Sequence, residues 1–118
     1  MHPSWKSLTQ INHLDELVEI SNHRPVIIFK HSTRCSLSEM AFDRLKNDWE
    51  HLSDEMDLFY LDLLEHRSLS NEIESRFKVR HESPQILIMS QGEIVGHTSH
   101  REVSTDFIKS ALLSSEEI

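Results

Sequence analysis

The stretch Pro25-Val26-Ile27-Ile28-Phe29-Lys30-His31-Ser32-Thr33-Arg34-Cys35 decides how this chain is read. Val26 to Phe29 is a run of β-branched and aromatic side chains without polar alternation, which fits a central strand covered on both faces in a parallel or mixed sheet. The chain then turns polar through Lys30-His31-Ser32-Thr33-Arg34. Beyond it Leu37, Met40, Ala41, Leu45, Trp49 and Leu52 recur among charged residues, predicting an amphipathic helix from about Cys35 to about His51 with that stripe in the core. Cys35 therefore falls at the first turn of a helix, directly after a buried strand and a polar loop.

Working outward, Trp5 to Leu8 fits a short edge strand, and Asn12 caps a helix whose Leu14, Leu17 and Val18 share a face until Asn22, before Arg24-Pro25 interrupts it. Met56 to Leu63 is rich in strand formers, and Ser68 or Ser70 then caps a helix with Leu69, Ile73 and Phe77 on one side. Ser83-Pro84 precedes the strand Ile86 to Met89, and Gln91-Gly92 turns it into a second strand, Glu93 to Thr98. Ser104 caps a last helix facing the core through Phe107, Ile108, Ala111 and Leu112, and a frayed tail Ser-Ser-Glu-Glu-Ile follows. The order β-α-β-α-β-α-β-β-α, with short connections and neither linker nor repeat, predicts one α/β layered domain over residues 1–118.

Twelve basic against twenty acidic residues give a formal charge of −8. With no cluster of Lys or Arg, that balance disfavours nucleic acid and anionic membrane surfaces as partners. Apolar runs are far shorter than the roughly 20 residues of a membrane span. The opening Met1-His2-Pro3-Ser4-Trp5 lacks the basic and apolar regions of a secretory signal, and one cysteine forms no internal disulfide, so a reducing cytoplasmic setting is expected.

The attacking species in sulfur chemistry is the thiolate, and an ordinary cysteine is mostly protonated at neutral pH. A helix start supplies unpaired N–H groups and the positive end of the macrodipole, Arg34 adds a charge next door, and Ser38, one turn on, is placed to donate a hydrogen bond to the sulfur. Catalytic Cys35 with thiolate-stabilising Arg34 and Ser38 is the expectation. The competing expectation for a lone cysteine is a small buried hydrophobe; the polar loop before position 35 favours the reactive one.

The strand Pro25 to Phe29, the polar loop ending in Cys35 and the lone Pro84 opening the hairpin resemble the thioredoxin superfamily over nearly the whole chain. More narrowly, His31-Ser32-Thr33-Arg34-Cys35-Ser36-Leu37-Ser38 with His81-Glu82-Ser83-Pro84-Gln85-Ile86-Leu87 resembles the monothiol bacilliredoxin family, also called YtxJ-like. That likeness implies a thioredoxin-like three-layer α/β/α sandwich with a mixed sheet. It further implies a monothiol oxidoreductase that takes bacillithiol, a low-molecular-weight thiol, from mixed disulfides with protein cysteines. Bacillithiol would then be a co-substrate rather than a bound cofactor, and bacillithiolated proteins the partners.

By the same resemblance Pro84 is cis, and Ser83 pairs with an extended substrate beside the sulfur, so both become substrate-binding candidates. Ser38 stands where dithiol relatives carry a second cysteine, leaving a mixed disulfide on Cys35 to be resolved by another thiol. The family pattern expected around the cysteine is Thr-Cys-Pro-Ile; this chain has Arg34-Cys35-Ser36-Leu37, which removes a φ restraint and adds a charge. His31 and His81 are expected near the sulfur, as possible proton-transfer groups or as structural residues.

Nine histidines invite a metal reading, and His97 and His100 are spaced i, i+3. Without a second cysteine, a helical His pair or clustered carboxylates, no metal site is expected. Two glycines, Gly92 and Gly96, make no phosphate loop, and no local motif suggests a hydrolase. The alternative function is a thioredoxin-fold binding or stress-response module whose cysteine is modified without turnover.

Overall fold

The computed structural model describes residues 2–116. Strand β1 (Lys6–Ser7), helix α1 (Asn12–Ser21), β2 (Val26–His31), α2 (Ser36–Asp48), β3 (Asp57–Asp62), α3 (Arg67–Phe77), β4 (Gln85–Ser90), β5 (Glu93–Ser99) and α4 (Thr105–Glu116) follow the expected order. Short 3-10 turns cover Trp49–His51 and His100–Glu102. The five strands form one mixed sheet in the order β1-β3-β2-β4-β5. β1 and β2 run parallel to β3, while β4 runs antiparallel to β2 and β5 to β4.

The central strand explains its own composition. Successive side chains of a strand point to opposite faces, and both faces of β2 are covered. Val26 and Ile28 join Leu14, Leu17, Leu69, Ile73, Leu87 and Met89 under α1 and α3. Ile27 and Phe29 join Trp5, Ala41, Leu45, Trp49, Ile86, Ile88 and Ile108 under α2 and α4. The result is the α/β/α sandwich expected from the sequence.

Several boundaries differ. Strand β2 runs two residues further than its apolar run, because the ladder continues through Lys30↔Gln85 and His31↔Asp62. Lys30 and His31, read from sequence as loop, are buried. The stripe on α2 is also corrected: Leu37 is 38% and Met40 57% exposed, and Ser38, Ala41, Leu45 and Trp49 form the inner line. Neither Ser68 nor Ser70 caps α3, which starts at Arg67 after His66; Ser70 is buried inside the first turn. Asn12 is the first residue of α1 rather than its cap. Ser104 does cap α4, its Oγ accepting from the Phe107 N–H at 3.2 Å. That helix continues through Glu116, and the end of the frayed tail, residues 117–118, lies outside the described residues.

Two backbone positions tighten the far edge. Gln91 and Gly92 take φ of 54° and 77°, the left-handed pair a two-residue hairpin requires. Gly96 on β5 faces α4 so closely that an added Cβ would sit 2.9 Å from that of Ala111.

Candidate active site

Cys35 is the N-cap of α2, with extended backbone (φ −112°, ψ 122°) and a partly exposed side chain. Its N–H donates to Ser32 O at 3.2 Å, closing the turn that brings the chain off β2. Its carbonyl accepts from the Glu39 N–H at 3.1 Å, beginning the helix. The thiol therefore stands beside the free N–H groups of the first turn, where helix dipoles favour negative charge.

The peptide between Ser83 and Pro84 is cis, and Pro84 is buried at the start of β4, the strand beside β2. Pro84 O accepts from the His100 N–H at 2.9 Å, so the turn after β5 closes over the same end of the sheet. Arg44 on α2 fastens that turn: its guanidinium donates to the carbonyls of Val103, His100 and Arg101 at 3.2, 3.4 and 3.3 Å. Exposed Leu37 and residues 98–102 line a shallow cleft between the two.

Ser38 is fully buried, and its hydroxyl has different partners from those expected. It accepts from the Ser32 N–H at 3.1 Å and lies 3.4 Å from Ser83 Oγ. It ties the cysteine loop to the residue before the cis proline, and makes no hydrogen bond to the sulfur among the described residues. Arg34 is exposed; its main-chain N–H reaches Ser32 Oγ at 3.4 Å, and its guanidinium enters no hydrogen bond or ion pair among the described residues.

The two histidines part company because they sit on opposite faces of the sheet. His81 lies on the α3 side, its Nδ1 3.0 Å from Ser70 Oγ and 3.4 Å from Lys30 Nζ, its Nε2 3.4 Å from an Arg67 nitrogen. Burial and then the two cations lower its pKa. Burial likewise brings the Lys30 ammonium down to about 8, with no carboxylate in ion-pair contact among the described residues. Around this pair the loop before Pro84 is tied down. The His81 N–H donates to Glu74, and the buried Gln85 side chain bridges Arg80 O and the Glu82 N–H.

His31 points to the α2 side, packed against Phe42, Tyr60 and Phe29 with ring centroids 5.1 to 5.7 Å apart. Burial lowers its pKa, although the Ser38 main chain and, less strongly, Asp62, Glu39 and Asp43 pull the other way. Neither ring bonds to Cys35 among the described residues. The strand reading hid this: extending β2 by two residues sends Lys30 and His31 to opposite layers, which a loop would not do. Nothing in the sequence singles out Lys30 or Arg44, since a lone charge in a polar stretch carries no local signal.

Among the described residues no group of three or more His, Cys, Asp or Glu is placed to hold a metal, and no helix is long and apolar enough to cross a membrane.

Solved structures share this architecture. A protein described as a candidate oxidoreductase with a thioredoxin fold is 28% identical, with a TM-score of 0.80 over 92% of this chain and 94% of that one. Thioredoxin from Trypanosoma brucei brucei superposes with a TM-score of 0.74 over 100% and 96% at 13% identity. Mitochondrial thioredoxin 3 from Saccharomyces cerevisiae, in its oxidised form, gives 0.73 over 92% and 94% at 17%. At those lower identities the likeness carries the fold alone. The family model described as monothiol bacilliredoxin BrxC matches residues 6–108. That span holds every element from β1 to the first turn of α4, including the cysteine turn and the cis-proline loop, and the chain belongs to the monothiol bacilliredoxin family.

Proposed function

We propose that this protein, a thiol redox protein by family and fold, removes bacillithiol from mixed disulfides with protein cysteines through Cys35. The supporting observation is the placement of the chain's one cysteine: partly exposed, at the head of α2, with Ser38 linking that turn to Ser83 before the cis proline. The Cys35 thiolate attacks the bacillithiol sulfur, the original S–S bond breaks, and the protein thiolate leaves and takes a proton from water. Cys35 now carries bacillithiol in a new disulfide. Ser38 has no sulfur to displace it, so a second thiol attacks that disulfide and restores Cys35.

In this reading Ser83 offers its backbone to an extended substrate beside Pro84, and Arg34, exposed next to the sulfur, adds positive potential for the thiolate. Ser38 serves through position rather than by a bond to sulfur. His31 and His81, buried and half-buried on opposite faces, serve the structure, and the exchange runs without a proton passing through either ring. The cytoplasm, where protein thiols stay reduced, is the compartment this chemistry requires.

The test uses a protein carrying bacillithiol on a known cysteine, incubated with the reduced wild type and with Cys35→Ala. Intact mass should show the bacillithiol adduct leaving the substrate and appearing on the wild type alone. Equal release by the two proteins would end the proposal, and an adduct that forms on Cys35 but is never displaced by free bacillithiol would leave a modified binding module.

A further inference from the structure

Beside the cysteine turn, on the α2 side, lies a cleft of about 310 Å³ lined by His31, Thr33, Glu39, Phe42, Asp43 and Tyr60. Its connection to the cysteine turn runs through the main chain. Thr33 lies two residues before Cys35, and Glu39 is one helical turn after it, joined by the bond from its N–H to Cys35 O. Side chains at i and i+4 share one face of a helix, so Glu39 and Asp43 of α2 stand together on the face that lines the cleft.

The lining is chemically one-sided. Two carboxylates stand with two aromatic rings, and among the described residues no Lys or Arg lines the cleft. Neither Glu39 nor Asp43 is in an ion pair among the described residues. His31, 4% exposed, lines the cleft, and its buried Nδ1 has no hydrogen-bond partner among the described residues. Asp62 and Glu65, in the adjoining groove that shares Tyr60, add further negative charge. Tyr60 registers that field: burial, then Asp62 and Glu65, push its phenol up to about 12. Carboxylates together with aromatic faces bind alkylammonium groups, by ion pairing and by attraction to the ring quadrupole.

We propose that this cleft binds a primary alkylammonium group on the disulfide substrate of Cys35, and so gives the exchange a preference for cationic substrates. The inference rests on the exchange reading above, since the ammonium is held while the thiolate attacks the neighbouring disulfide. Sγ bonds to one sulfur, the S–S bond breaks, and the departing thiolate takes a proton from solvent. Buried His31 acts here as a neutral wall of the cleft.

The experiment measures mixed-disulfide formation on the reduced protein with cystamine, which carries two ammonium groups, and with neutral bis(2-hydroxyethyl) disulfide. The ratio of the two rates cancels any change in the thiol itself. For the wild type the ratio, corrected for that of a free small thiol, should favour cystamine and fall with salt. In Glu39→Gln/Asp43→Asn it should drop by about tenfold, as expected for losing two contacts of unit charge in a largely aqueous site. Glu16→Gln/Glu55→Gln removes the same charge elsewhere and should move it less than about twofold. Equal effects of the two double variants, or none, would overturn the proposal.

Peptide disulfides bearing lysine or glutamine two residues from cysteine separate the sources. A lysine preference lost in Glu39→Gln/Asp43→Asn assigns the cleft to protein substrates, and its absence assigns it to a small amine. If the neutral disulfide does not react at all, the exchange reading fails by itself. The cleft is then judged by titrating Cys35→Ser protein with n-butylammonium and following the Tyr60 and His31 ring resonances. Saturable shifts abolished by Glu39→Gln/Asp43→Asn support it, and linear or variant-independent shifts overturn it.

Discussion

The hydroxyls of Ser38 and Ser83 lie 3.4 Å apart although 45 residues separate them in sequence, and the Ser38 oxygen also accepts the Ser32 N–H at 3.1 Å. One buried side chain thus joins the cysteine turn, the first turn of α2 and the residue before the cis proline. Ser38→Ala removes the acceptor and leaves a main-chain donor unmatched, at a cost of about 1 kcal/mol. Urea unfolding should show that loss, with exchange at Cys35 slowed as the turn loosens. A variant with unchanged stability and rate would show that the junction is incidental.

Ser38→Cys places a second thiol one turn from the first. On oxidation the two should close an intramolecular disulfide, seen as loss of both titratable thiols without a change in oligomeric size. The variant should then release bacillithiol from itself without an added thiol. Persistence of the adduct on Cys35 would mean that the turn holds position 38 out of reach.

Lys30 is buried with an imidazole as its hydrogen-bond partner, and its pKa falls to about 8. The unfolded chain holds that proton up to its ordinary value of 10.5, so the folded state bears a desolvation penalty below pH 8 that fades as pH rises from 8 towards 10.5. Lys30→Met should therefore stabilise the fold at pH 7 by on the order of 1–3 kcal/mol. The gain should shrink at pH 10. Denaturant midpoints at the two pH values check this, and destabilisation at both would refute it.

His31 and His81 both have pKa values lowered from 6.5 by burial. Their neutral forms suit the folded state, so stability is complete above pH 6.5 and is lost as pH falls from there towards the folded values. His31→Phe, packed among Phe29, Phe42 and Tyr60, should flatten part of that acid limb and leave stability at pH 8 within about 1 kcal/mol of wild type. Thermal melts from pH 5 to 8 would show it.

Gly96→Ala should cost roughly 1–3 kcal/mol, because the new methyl meets Ala111 at 2.9 Å and pushes α4 off the sheet. Ala111→Gly in the same chain should recover much of it. A double-mutant cycle with no coupling would mean that α4 shifts freely.

The fold was largely legible in the sequence because both periodicities were present: an unbroken apolar run at β2 and helical spacing on α1, α3 and α4. The Cys35 turn and the Ser83-Pro84 loop were legible through motif resemblance. What stayed hidden was set across space. Leu37 and Met40 fit a helical stripe as well as Ser38 and Ala41 do, and only the docking of α2 on the sheet decides which line faces inward. Ser38 looked like a partner for sulfur because sequence gives its distance along the helix, whereas its actual neighbours come from Ser32 and the far loop. Lys30 and His31 look like loop because polar side chains seldom enter a central strand, and their burial depends on distant partners, His81 for Lys30 and Phe42 for His31.

Lys30 and His31 also have a consequence for how β2 finds its place. Adjacent in the chain, they deliver a cation to one layer and an aromatic ring to the other. Sliding the strand by one residue would carry the ammonium to the side of Phe42 and Tyr60, away from the imidazole that receives it, and would take Phe29 out of that aromatic group. An all-apolar strand end would tolerate that slip far better, so this buried amine acts as a key that fits one alignment of the central strand.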